Sequence, residues 1–368
     1  MRVMILANFD VGLYQFRKEL IEELLKENEV IISLPYGELV EPLKEMGCKF
    51  IDTPVDRRGI NPATDLKLLL EYRRLLKKEK PDLVITYTIK PNVYGGLACR
   101  LAHIPYAVNI TGLGTAFENG GLLKKIVAIM NKVACKKAKV VFFENEENRQ
   151  IFIREKIVKE PQTHRLNGAG VNLDKYQVTE YPKGEKIKFL FMGRVMAEKG
   201  IDELFEAMKK LVSDGVNCEL HVLGGYEEDY KEKIKECQNE GWLHYHGYQK
   251  DVRPFIEKCH CFVLPSWHEG MANTNLESAA SGRPVITSCI PGCMEAVING
   301  VSGFLAERKN AEDLYRVMKK FTELPYEERK AMGLAGRKHM EEVFDKKKVV
   351  AETIHYLVIG DIHEDKTC

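Results

Sequence analysis

The chain has 368 residues, of which 45% are apolar and 30% charged, with a net charge of +1. That balance excludes a disordered, low-complexity or collagen-like chain, and the length exceeds one ordinary core and fits two domains. The neutral total hides a division: residues 1–170 hold 27 Lys and Arg against 21 Asp and Glu, and the remainder 28 against 33.

In chain order, the first half alternates short apolar runs with amphipathic patterns. Arg2–Ala7, Val30–Leu34, Leu83–Thr86, Ala107–Ile110 and Val140–Phe143 read as strands. Gln15–Lys26, Leu66–Lys78 and Leu122–Lys137 carry apolar residues at helical spacing. Strands that are nearly continuous apolar runs joined by helices predict a parallel sheet buried on both faces. The polar segment Tyr176–Lys186, with Pro182 and Gly184, reads as a linker. The pattern then restarts. Lys188–Met192, Glu219–Leu223, Cys261–Leu264 and Pro284–Ser288 read as strands, and Asp202–Val212, Tyr230–Asn239, Asn275–Ser281 and Ala311–Leu324 as helices. The expectation is an α/β chain of two doubly wound domains, 1–175 and 176–345, facing a central cleft. A last helix and tail, 346–368, would pack back on the first domain.

The apolar start Met1–Ala7 is too short for a secretory signal, and no run of about 18 apolar residues exists to span a membrane. Ten cysteines show no paired C-x-x-C spacing. Cys259 and Cys261 alternate in an apparent strand, and Cys289 and Cys293 flank a turn, so all are read as reduced and mostly buried. His244 and His246 alternate in an apparent strand and read as packing or surface residues rather than ligands. No metal, cofactor or nucleic-acid partner is called for, and a cytoplasmic location is expected.

Two segments carry chemistry. The strand ending at Met192 runs into Gly193-Arg194-Val195-Met196-Ala197-Glu198-Lys199-Gly200 before a helix. An Arg fork and a Lys charge beyond a strand's carboxyl end suit phosphate oxygens. Alone, the loop is also what a solvated corner looks like. The second segment, Pro265 to Glu277, again takes a strand through a loop into a helix, with Glu269 before the helix and Glu277 within it. The intervening amides sit at a helix N-terminus, which favours an anion such as diphosphate. Carboxylates there suit sugar and ribose hydroxyls.

Together, Gly193-Arg194, Lys199-Gly200, the E-x₇-E pair Glu269 and Glu277, and Ser281-Gly282-Arg283-Pro284-Val285-Ile286 resemble the donor site of the retaining GT-B glycosyltransferases of family 4. Gly292, Glu295, Gly300 and Gly303-Phe304 fit the family's later strand and turn. Within it, Gly12 to Arg17, Ile60-Asn61-Pro62 and Thr111-Gly112-Leu113-Gly114-Thr115 resemble bacterial enzymes that extend undecaprenyl-diphosphate-linked glycans for capsule, exopolysaccharide or protein glycosylation.

The resemblance implies a GT-B fold of two Rossmann-like domains and a metal-independent, retaining transferase. Its donor would be a nucleotide diphosphate sugar, UDP-linked, and its acceptor a lipid-diphosphate-linked or polysaccharide chain. Arg194 and Lys199 would contact the diphosphate and Glu269 the transferred sugar. Glu277 would bind the ribose hydroxyls, and the amides of Gly270, Met271, Ala272 and Asn273 the sugar and phosphate. The nucleobase would lie against Gly247–Val252. On the acceptor side Gly12 takes the place of a glycine loop, and Thr111 stands where many relatives carry His. Thr88, Lys90 and Asn92 are further polar candidates there. No Asp-x-Asp triplet is present to hold a divalent ion, so Arg and Lys would do the ion's electrostatic work. A sugar-nucleotide 2-epimerase and a non-catalytic sugar-nucleotide-binding protein remain as alternatives. The helix 122–137, after Gly120-Gly121, sets five lysines beside a broad apolar face with no acidic residue. It reads either as a core helix or as one that lies on anionic lipid at the inner face of the cell membrane.

Overall fold

The computed structural model describes residues 1–56, 59, 61–113 and 121–359, apart from the side chains of Leu122, Leu123 and Ile359. Ile60, Gly114, Thr115, Gly120 and the tail 360–368 lie outside the described residues. The chain divides into two compact units, Met1–Ala169 with Lys347–Cys368, and Gly170–Lys346.

The first unit is a seven-stranded parallel sheet. Its strands are β1 (Arg2–Leu6), β2 (Glu29–Leu34), β3 (Lys49–Asp52), β4 (Leu83–Tyr87), β5 (Tyr106–Ile110), β6 (Val140–Phe143) and β7 (Thr163–Arg165), in the order β3-β2-β1-β4-β5-β6-β7. Alternate residues of β1, β2, β4, β5 and β6 feed opposite cores, as a sheet buried on both faces requires. Val3 and Ile5 pack with Leu13, Leu20 and Ile21 of the helix Asp10–Leu25, while Met4 and Leu6 pack with Leu68, Tyr72 and Leu76 of the helix Pro62–Glu79. Asn61 accepts from the amide of Ala63 and Pro62 opens that second helix, which accounts for the Asn61-Pro62 pair as a helix start. The final helix, Lys346–Ile359, lays Val349 and Leu357 on the first of these cores, and Tyr356 stacks on His164.

The second unit is a six-stranded parallel sheet of β8 (Ile187–Met192), β9 (Cys218–Leu223), β10 (Leu243–Tyr245), β11 (Cys261–Leu264), β12 (Val285–Ser288) and β13 (Gly303–Ala306). Their order is β10-β9-β8-β11-β12-β13. The segment Tyr176–Lys186 is not a free linker. It belongs to this unit, and Tyr176 enters its core. Arg283, wholly buried, donates to the carbonyls of Thr179 and Glu180 and to those of Ile256 and Glu257. One guanidinium thus binds a stretch whose composition alone reads as linker. Nine described cysteines are free, and only Cys289 among them is exposed.

Candidate active site

In the second sheet the strand order reverses between β8 and β11, and ligands of such sheets sit beyond the carboxyl ends at that switch point. The two loops singled out above leave these two strands. Gly200, at φ 70°, lets them stack: a Cβ there would lie 2.0 Å from the carbonyl oxygen of Pro265. Gly292, at φ 84°, does the same for the second loop, since a Cβ would lie 2.6 Å from the carbonyl oxygen of Glu269, and its own carbonyl accepts from Ala272 at 2.7 Å. Gly193 is fixed to β9 by its amide, 2.9 Å from the carbonyl of Leu223.

Lys199 and Glu269 meet across the stacked loops. The ammonium donates to Glu269 Oε1, and Ser266 Oγ donates to the same oxygen at 2.8 Å. Both side chains are mostly buried. Arg194 is more open, with its side chain 55% exposed and Nη1 3.4 Å from Glu227 Oε2. A pair of that kind contributes little to stability, so the guanidinium is free to turn to an anion.

The helix Asn273–Ala280 begins where the second loop ends, and no side chain caps it. Met271 and Ala272 are buried at its entrance, beside Gly270, and Asn273 Oδ1 is buried with no hydrogen-bond partner. The free amides of an uncapped helix start suit an anion, and the unmatched Asn273 oxygen suits a hydroxyl donor. Further along the helix, burial raises the pKa of Glu277, and a hydrogen bond from Tyr176 opposes the rise. Gly247, at φ 65°, follows β10 and accepts from the amide of Gly224 at 2.8 Å. Val252 leads the short helix Arg253–Lys258. This loop stands two strand spacings from β8, about 10 Å. The structure therefore gathers Gly193, Arg194, Lys199, Glu269 and Asn273 at adjoining strand ends, with Gly247 and Val252 toward the sheet edge. Arg283, by contrast, is spent on backbone carbonyls and on the hydroxyl of Thr179, and is not a ligand group.

The acceptor-side candidates lie in the first unit. Gly12 is not in a loop. The helix begins at Asp10, five residues before the periodicity suggests, and places Gly12 in its first turn, where a Cβ would crowd the ring of Phe9 at 2.9 Å. Asp10 explains the early start, since its carboxylate accepts from the amide of Leu39 at 2.7 Å and is held buried. Thr111 follows β5 directly and is half-buried. Lys90 is matched by Asp65 at 2.8 Å, which also accepts from Tyr94. Asn92 is structural: it accepts from Thr86 and donates to the carbonyl of Asn109, both at 2.7 Å, tying β4 to β5. Sequence reasoning missed the buried pair Arg17–Glu144, 2.6 Å apart, with Arg17 over the ring of Tyr87. The signal was available, because Arg17 occupies a core-facing place in the series Leu13, Arg17, Leu20, Ile21 and Leu24.

Cations aimed at the switch point of a doubly wound sheet, beside an open helix start, equip a protein to handle a nucleotide diphosphate. Comparison with known proteins makes the class definite. Residues 2–145 match the family "Glycosyl transferase 4-like" and residues 175–339 match "Glycosyl transferases group 1". The chain belongs to this family and is a glycosyltransferase of GT-B fold, as the motifs imply. It is 30% identical to the N,N'-diacetylbacillosaminyl-diphospho-undecaprenol alpha-1,3-N-acetylgalactosaminyltransferase of Campylobacter jejuni over 85% of this chain and 87% of that one. It is 29% identical to the UDP-Gal:alpha-D-GlcNAc-diphosphoundecaprenol alpha-1,3-galactosyltransferase of Escherichia coli over 82% of each. The solved structure of Anabaena Alr3699/HepE in complex with UDP and glucose shares the fold with a TM-score of 0.81 at 15% identity, covering 97% of this chain and 99% of that one.

Proposed function

We propose that the chain transfers a hexose or N-acetylhexosamine from a UDP-linked donor to a saccharide carried on undecaprenyl diphosphate, in bacterial surface-glycan synthesis. Transfer retains the anomeric configuration and needs no metal ion. The observation that carries this reading is the Lys199–Glu269 pair at the β8/β11 switch point, beside the uncapped helix at Asn273. When the donor enters, the pair parts. The ammonium turns with Arg194 to the diphosphate and offsets the charge that grows as the nucleotide leaves. Glu269, still held by Ser266, accepts from a sugar hydroxyl, and Glu277 from the ribose. The leaving phosphate takes the acceptor's proton during front-side attack. The acceptor class is supported by the two relatives named above, whose activities are on diphosphoundecaprenol-linked sugars. A screen of UDP- and GDP-sugars against such acceptors, read by mass spectrometry, tests the reading. One added sugar from a UDP donor is expected, and no product from any donor refutes it.

A lipid-linked acceptor requires work at a membrane, and no described helix is long and apolar enough to cross one. The helix Gly121–Cys135 supplies a docking face. Ala134 and Cys135 are buried on the sheet and Val127 leans on the same core, whereas Ile126, Ile129 and Val133 are exposed, as are Lys125 and Lys132. It is thus a sheet-layer helix with an apolar outer stripe. Nearby, Leu70, Arg73, Arg74, Lys77, Lys80 and Leu101 line a groove of 680 Å³. Exposed leucines set among four cations fit the boundary between acyl chains and anionic headgroups.

A further inference from the structure

Away from the donor loops, one face of the β8-β9-β10 edge carries a cluster that the transfer reaction does not use. Glu219 and His221 lie two residues apart on β9, and His244 stands opposite His221 on β10. The ligand atoms of these three side chains lie within 4.8 Å of one another, the one such group among the described residues. His221 Nε2 is 3.1 Å from Glu219 Oε1, and His244 Nε2 is 3.5 Å from Glu219 Oε2. Behind them, His246 Nε2 is 2.9 Å from His221 Nδ1.

Two imidazoles and a carboxylate form a donor set for a borderline-soft transition ion such as Zn²⁺, not for Mg²⁺, which prefers oxygen and water. A partner at the far nitrogen of His221 is the kind of outer contact that fixes a metal-binding ring. The competitor is Lys186, whose Nζ is 2.7 Å from Glu219 Oε2, with Lys188 at 3.4 Å from Oε1. Lys186 is half-exposed, so its ammonium can swing into water and give up the carboxylate.

We propose that Glu219, His221 and His244 form a binding site for a divalent transition ion of the zinc type, which ties the edge strand β10 to β9. The tie has structural reach. β10 is only three residues long, the amide of His246 donates to Val222 at 3.0 Å, and Gly247 then accepts from Gly224. An ion at His221 and His244 therefore braces the base of the loop Gly247–Val252. Among the described residues no donor-loop side chain belongs to the cluster, so the ion steadies the sheet without entering the chemistry.

The test uses the full chain, stripped with EDTA and dialysed, then titrated calorimetrically with Zn²⁺ and separately with Mg²⁺ while melting is followed in parallel. The expected result is one Zn²⁺ per chain and a melting temperature raised by several degrees, because the ion binds the folded state. Mg²⁺ does neither. His244→Ala, at an exposed position that leaves the core intact, weakens Zn²⁺ binding by about tenfold or more and removes the thermal shift. Lys186→Gln removes the competing ammonium and tightens binding several-fold. Absence of stoichiometric Zn²⁺ binding overturns the proposal. So does binding that is equally tight in His244→Ala, which would place the ion elsewhere, for example at the exposed Cys289.

Discussion

At the scale of single residues, the account rests on which charges are spent and which are available. Arg283 and the Arg17–Glu144 pair are committed to the fold, whereas Arg194 is loosely held and Lys199, among the described residues, is paired with Glu269. Arg194→Ala and Lys199→Ala should each lower kcat/KM by about 10²–10³ through lost stabilisation of the leaving diphosphate, with melting little changed. Near-normal turnover in either variant removes that residue from the site. A second consequence concerns His260, which is wholly buried and accepts from the amide of Lys188 at 3.1 Å through Nδ1. Burial, with the charges of Arg329, Lys188 and Arg283, lowers its pKa to about 4. Below about pH 6.5 the unfolded chain takes up this proton and the folded chain does not. Stability therefore falls as pH drops through that window, by about 3 kcal/mol in all from this residue. Denaturant unfolding at pH 7, 5.5 and 4 should show the slope, and His260→Asn, whose amide oxygen can take the Lys188 amide, should flatten it. An unchanged slope in the variant assigns the acid sensitivity elsewhere.

At the scale of elements, the helix Gly121–Cys135 makes the sharpest claim. With Ile126, Ile129 and Val133 outward beside lysines, the chain should sediment with anionic vesicles and not with neutral ones. Binding should fall with salt and weaken when Lys124, Lys125 and Lys132 are changed to Gln, of which Lys124 also pairs with Glu155. Equal partitioning to both vesicle types, or no effect of the changes, refutes docking and leaves the transferase assignment standing. The same scale shows what the sequence makes legible. Central strands such as β6 and β11 are continuous apolar runs and can be read to the residue. β3 and β7 are short and half-covered, so no run marks them. The helix Tyr326–Val343 is masked by Gly333 and Gly336; Gly333 packs so closely that a Cβ would lie 2.1 Å from the carbonyl oxygen of Gly282. For the site, the loops are legible because their residues are contiguous and stand at strand ends. The bonds of Glu269 to Lys199, Glu277 to Tyr176 and Arg17 to Glu144 are not, because each joins residues far apart in sequence.

At the scale of the whole molecule, each unit has its own sheet and its own core, and the candidate functions divide between them. Every candidate donor-side residue lies in the second unit and every candidate acceptor-side one in the first. The first half carries a surplus of six positive charges, which suits phosphorylated acceptors and anionic lipid, and the second a deficit of five. Cations rather than a divalent ion are assigned the electrostatic work at the donor, so chelation should lower the melting temperature through the β9–β10 cluster while leaving transfer intact. The central claim is metal-free, retaining transfer onto a lipid-linked saccharide. It is tested most directly by incubating the chain with an α-linked UDP-sugar and an undecaprenyl-diphosphate-linked acceptor in EDTA, then determining the product's mass and anomeric configuration by mass spectrometry and NMR. The account predicts one added sugar in α-linkage; a β-linked product, or transfer that stops in EDTA and returns with added Mg²⁺ or Mn²⁺, would contradict it.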